Sequence, residues 1–114
     1  MPPASFNVQH TSANEIRRLF NEGSYREMID DGRLIPEFLR NAHLKGPEAK
    51  GNPPCTFRQM IRYRDANGNP IVEVFQYLRP DRTLGPSGLS DPKRLWIGRT
   101  VLVAESQPLR SILE

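Results

Sequence analysis

Cysteine is nearly absent from this chain: 114 residues contain one, Cys55. An internal disulfide framework is therefore excluded, and the composition suits a reducing compartment. Histidine is scarce too. His10, His43 and Cys55 lack the spacing of a metal-ligand set, and nothing around His43 or Cys55 suggests a nucleophile and its base. The expectation for them is a helix-end histidine and a half-buried thiol. No window approaches 18 consecutive apolar residues, so no transmembrane helix is expected. The opening MPPASFNVQH has neither the charged nor the apolar region of a signal peptide. Gly85-Pro86-Ser87-Gly88 lacks the Gly-Lys-Ser/Thr of a phosphate loop and reads as a tight turn. These absences lead us to expect a cytoplasmic protein without metal, cofactor or membrane contact, and a binding protein more than an enzyme.

Proline and arginine, by contrast, are plentiful. Eleven prolines are about twice the average share, which points to long irregular connections. Thirteen of the sixteen basic residues are arginine, whose planar fork suits phosphate contact and aromatic stacking. The net charge of +3 is uneven. Residues 1–57 carry seven basic and seven acidic side chains, whereas residues 58–114 carry nine and six, so the excess lies in the second half. With 37% hydrophobic and 25% charged residues, the chain has the balance of one globular domain rather than a disordered segment.

The stretch Cys55–Arg79, CTFRQMIRYRDANGNPIVEVFQYLR, organises the rest. Asn67-Gly68 is a strong signal for a type I′ hairpin turn, which needs positive φ at both central residues. Side chains alternate between the faces of a strand. Pairing outward from that turn therefore puts Tyr63 opposite Val72, Ile61 opposite Val74, Gln59 opposite Gln76 and Phe57 opposite Leu78 on one face. That face is six-eighths apolar or aromatic, a core face. The other pairs Arg64 with Ile71, Arg62 with Glu73, Met60 with Phe75 and Arg58 with Tyr77. A slip of one residue would turn the arginines into the core, so the register is strongly specified.

Around the hairpin, residues 1–11 read as a flexible N-terminal arm. Ser12-Ala13-Asn14-Glu15 and Ser24-Tyr25-Arg26-Glu27 are both capping boxes. Each precedes an apolar stripe and a glycine stop, Gly23 and Gly32, which predicts two short helices. Pro36 at a first helical position, followed by Phe38, Leu39 and Ala42, predicts a third. Residues 45–54 form a linker, and residues 80–93 a long connection that is functional, Ω-type or disordered. Leu95–Ala104 reads as a strand interrupted by a bulge or tight turn at Gly98, and residues 106–114 as a tail. The expected fold is α+β, with three short N-terminal helices packed on one face of a three-stranded antiparallel β-meander spanning 12–105.

Functional expectation rests on the hairpin's second face. Arg58, Arg62 and Arg64 interleaved with Phe75 and Tyr77, with Arg79, Arg82, Lys93 and Arg94 in the adjacent loop, are what a single-stranded nucleic-acid platform needs: cations for phosphates and rings for bases. The same face, through Met60, Ile71, Phe75 and Tyr77, suits a protein partner or a homodimer mate. Glu73 ringed by arginines on a sheet behind helices resembles the layout of small metal-independent ribonucleases of the barnase kind. That resemblance implies a carboxylate base with arginines stabilising the phosphorane; the simpler alternative is a cross-strand ion pair. Helix, Gly23, helix, DGRLIP and basic hairpin resemble an excisionase-type winged helix, which implies a recognition helix around residues 24–31. Glu27, Asp30 and Asp31 make that helix a poor surface for phosphates.

Overall fold

A computed structural model describes residues 6–44, 53, 55–85 and 88–104. Along the chain run β1 (Asn7–Thr11), α1 (Ala13–Glu22), α2 (Tyr25–Asp30), β2 (Ile35–His43), β3 (Phe57–Arg64), β4 (Pro70–Leu78), β5 (Leu84–Gly85), β6 (Asp91–Ile97) and β7 (Thr100–Ala104). They form one seven-stranded sheet in the order β1-β7-β6-β4-β3-β2, with β5 paired to β4. All pairings are antiparallel except β1 with β7, which is parallel. The expected three helices on a three-stranded meander are thus overturned: the sheet is larger and mixed, and the described residues contain two helices. Neither is long and apolar enough to cross a membrane.

The hairpin lies inside that sheet, between β6 and β2. Seven pairs from Phe57–Leu78 to Tyr63–Val72 fall in the expected register. Its turn differs. Arg64 lies opposite Pro70 rather than Ile71, with a register shift after Tyr63. The Asp65 amide donates to the Asn69 carbonyl, and the Gly68 amide donates to that of Asp65. Only Gly68 (φ 85°), not Asn67, has positive φ, as in a type I turn closed by a glycine bulge. The Asp65 carboxylate accepts from the Asn67 and Asn69 amides, an Asx arrangement that competes with the type I′ geometry. The two-residue hairpin is found elsewhere. Gly98-Arg99 joins β6 to β7, and Gly98 (φ 58°) supplies the positive φ of a type II′ turn.

Helix α1 begins at the expected cap, where the Ser12 hydroxyl accepts from the Glu15 amide. Ile16 and Phe20, one turn apart, are fully buried. Gly23 ends the helix in ordinary extended backbone, at φ −88°. Its need for glycine is spatial, since a Cβ there would sit 2.5 Å from the Tyr25 ring. The second capping box does not form: Ser24 makes no side-chain cap to α2. Gly32, at φ 84°, closes α2 as expected. Phe20 joins Leu34, Ile61, Val72, Val74 and Leu95 in the core, with Leu19, Tyr25, Met28 and Ile29 packed against them. Both helices therefore lie on the core face of the sheet.

Two segments took another course from the one their local sequence predicts. Ile35–His43, expected as a helix from Pro36, is an edge strand on β3. A helix of two turns is unstable alone, whereas β3 offered a row of unpaired backbone groups. A bulge between Phe38 and Arg40 lets the adjacent apolar Phe38 and Leu39 fit the strand. Residues 7–11, expected as a flexible arm, are β1 on the far edge. The expected 106–114 tail and residues 45–52 and 54 of the 45–54 linker lie outside the described residues.

Candidate functional site

Alternation along the central strands gives the sheet a second face, opposite the helices. Cross-strand partners there run Glu37–Arg62–Glu73–Arg94 across β2, β3, β4 and β6, then Arg40–Met60–Phe75, then Ala42–Arg58–Tyr77. Of the nine residues expected to contact nucleic acid, Arg58, Arg62, Arg64, Phe75 and Tyr77 are brought onto this face as expected. Arg94 joins them from within β6 rather than from a loop. Lys93 does not: its Nζ lies 2.8 Å from Asp91, which pairs with Arg17 of α1 on the helix side. Arg79 and Arg82 sit in the tight turn between β4 and β5, where Arg82 adopts φ 74°.

The face divides into two zones with different chemistry. In the first, three arginines share two carboxylates. Glu73 is buried, and its Oε2 accepts from Arg62 Nε at 2.7 Å and lies 2.6 Å from Arg62 Nη2. Arg94 approaches its other oxygen at 3.8 Å, and Arg64 pairs with Glu37 at 3.1 Å. The Arg62 guanidinium also lies 5.7 Å from the centre of the Trp96 ring. A carboxylate held this way has its lone pairs taken up by guanidinium donors, the arrangement of a structural ion pair rather than of an accessible base.

The second zone, around Met60, Phe75 and Tyr77, lacks such pairing. Arg40, Arg58 and Arg82 have no ion-pair or side-chain hydrogen-bond partner among the described residues. Arg58 Nε is shielded from solvent and has no hydrogen-bond partner among the described residues. Across Met60 from Arg40 and opposite Arg58, Phe75 and Tyr77 meet edge to face with ring centres 5.1 Å apart. Sequence patterning alone misses Arg40, because the Pro36 signal predicts a helix there; Trp96, two residues beyond Arg94, falls on the same face by strand alternation.

Comparison with known proteins finds no matching family model, no similar curated protein and no solved structure of significant similarity.

Other candidates fare less well. His43 stands on β2 with its ring 4.9 Å from Phe57, not at a helix end. Cys55 is exposed, with φ 72°. No group of three metal-ligating side chains occurs among the described residues. Residues 35–43, which a winged helix would use to connect its recognition helix to the wing, are themselves a strand of the sheet.

The helix side carries a cavity of about 450 Å³ beside Gln76, and a second cleft of about 420 Å³ adjoins it. Gln76 begins a run of amides across the core face: its Nε2 donates to Gln59 Oε1, and Gln59 Nε2 donates to Asn41 Oδ1. This satisfies the buried Gln59, which the sequence placed on the core face opposite Gln76.

Proposed function

We propose that this protein binds single-stranded nucleic acid through the helix-free face of its sheet, with contact concentrated in the zone of Arg40, Arg58, Phe75, Tyr77 and Arg82. The observation that carries the reading is the coexistence of the unpaired Arg40 and Arg58 guanidinium groups and an aromatic pair on one face of the sheet. Phosphates neutralise the former, and bases stack on the latter whatever their sequence. Arg62, Arg64 and Arg94 serve as scaffold, because their charges already meet Glu73 and Glu37. A reducing, cytoplasmic setting suits the lone exposed thiol.

Fluorescence anisotropy against labelled single-stranded RNA and duplex DNA at two salt concentrations tests this. Binding to the single strand should weaken steeply with salt. It should be lost in Arg40→Ala/Arg58→Ala, which disturbs no ion pair. Absence of binding at low salt would discard the reading. A protein interface or a homodimer contact on the same face, through Met60, Phe75 and Tyr77, would then be the reading to pursue. Such an interface predicts association with little salt dependence. The ribonuclease alternative predicts metal-independent RNA cleavage abolished by Glu73→Gln, and intact RNA after long incubation opposes it.

A further inference from the structure

The cavity beside Gln76 arises from a gap in the sheet. On its outer side β4 is paired to β6 as far as Phe75–Asp91 and to β5 from Tyr77–Gly85. Gln76 between them has no strand partner on that side among the described residues. Leu89 and Ser90 form one wall of a notch there, about 450 Å³ in volume. Asn21 of α1 faces it from the helix side. Phe75 and Tyr77, the aromatic pair of the opposite face, line it as well.

The charges around the notch narrow what it can hold. Two arginines line it, and both are engaged. Arg17 is held by Asp91 through Nε at 2.9 Å and Nη2 at 3.3 Å. Arg26 donates to Ser90 Oγ and Asn21 Oδ1 and lies 4.6 Å from the Phe20 ring centre. An anion entering here would find cations already satisfied. Asn21 Oδ1, Ser90 Oγ and Gln76 Nε2 are themselves engaged, by Arg26 and Gln59. What remains among the described residues is neutral: the Asn21 Nδ2 and Ser90 hydroxyl donors and the Gln76 Oε1 acceptor, between aromatic and aliphatic walls. That combination recognises a flat, uncharged heterocycle with donors and acceptors on its edge. Proteins that read splayed-out bases use the same two elements, a stacking wall and amide or hydroxyl groups for the base edge.

We infer that the notch is a nucleobase pocket: one base of the strand bound on the outer face inserts between β5 and β6, while its phosphates stay outside on Arg40 and Arg58. The inference rests on the nucleic-acid reading for its ligand, yet it can be tested separately. Adenosine, cytidine and uridine carry no phosphate, so they probe the notch alone, whereas an oligonucleotide probes the face.

Titrating each nucleoside into the isotope-labelled full chain, followed by amide NMR shifts, should give saturable changes centred on Asn21, Tyr77, Leu89 and Ser90 for at least one base. Asn21→Tyr, at an exposed helix position, and Leu89→Trp, at an exposed position on the opposite wall, both fill the notch. Each should weaken that nucleoside about tenfold and leave the salt dependence of oligonucleotide binding unchanged. If oligonucleotide binds but nucleosides produce no saturable shifts at these residues, the notch inference is overturned and the outer-face reading stands. Nucleoside binding that both filled variants retain would likewise overturn it. Nucleoside shifts at the notch without any oligonucleotide binding would keep the pocket and remove the outer face.

Discussion

At the scale of single residues, two turns of the same design can be compared directly. In Asp65–Asn69 the amide of the first residue bonds the fifth carbonyl and that of the fourth bonds the first, and Arg79–Thr83 repeats both bonds. The fourth residue takes a left-handed conformation in each. It is Gly68 in one and Arg82 in the other. A side chain there costs roughly 1 kcal/mol. Gly68→Ala should therefore destabilise by about 1 kcal/mol, while Arg82→Gly should stabilise by a similar or smaller amount. Urea denaturation of the two variants checks the opposite signs. Arg82 keeps this strained conformation in the turn between β4 and β5. Arg62 makes the contrasting case. Arg62→Ala should cost about 3 kcal/mol by stranding the buried Glu73 carboxylate, whereas Arg58→Ala should change stability little. The same denaturation series measures both.

At the scale of elements, the two capping boxes are alike in sequence and unlike in structure. Ser12 caps α1, but Ser24 (φ −91°, ψ 22°) does not reach an amide of α2. Only two residues, Gly23 and Ser24, separate the helices, and Tyr25 stacks on Phe20 with ring centres 5.6 Å apart at the entry to α2. Ser12→Ala should lower stability by about 1 kcal/mol and Ser24→Ala by less than about 0.5 kcal/mol. Thermal unfolding followed by circular dichroism would show the difference. Edge strand β2 is a related lesson. Its pattern of Phe38, Leu39 and Ala42 fits a helical stripe, yet it also fits a strand once a bulge is allowed. Local periodicity could not choose between them.

At the scale of the whole molecule, Asp91 couples helix to sheet. It begins β6 and pairs with Arg17 of α1 and with Lys93. Burial works to raise its carboxyl, but the hydrogen bonds from Arg17 and Lys93 outweigh burial and hold it below the ordinary carboxylate range. A carboxylate depressed in the folded state contributes stability above its unfolded pKa, near 4, and that contribution disappears as pH falls through the lower folded value. Wild-type protein should therefore lose stability below about pH 4. Asp91→Asn should be less stable by about 1 kcal/mol at neutral pH, with the gap closing in acid. Urea midpoints at pH 7 and pH 3 give the answer, and a constant gap would refute it.

The legible features of this chain were those set by neighbours in sequence. The β3–β4 register followed from strict alternation, because a slip would have buried Arg58, Arg62 and Arg64. The cap at Ser12 and the stop at Gly32 followed from local backbone chemistry, and the arginine–aromatic pairing of the second face followed from the register. Tertiary structure decided the remainder. Which edge Ile35–His43 joined, that residues 7–11 became a parallel strand on β7, and which arginines were neutralised all depend on groups far apart in the chain. Glu73 meets Arg94 and Arg64 meets Glu37 only because β6 and β2 flank the hairpin. A short segment's backbone groups are satisfied equally by its own helix or by a neighbouring strand, so its own sequence leaves the choice open until the neighbour is in place.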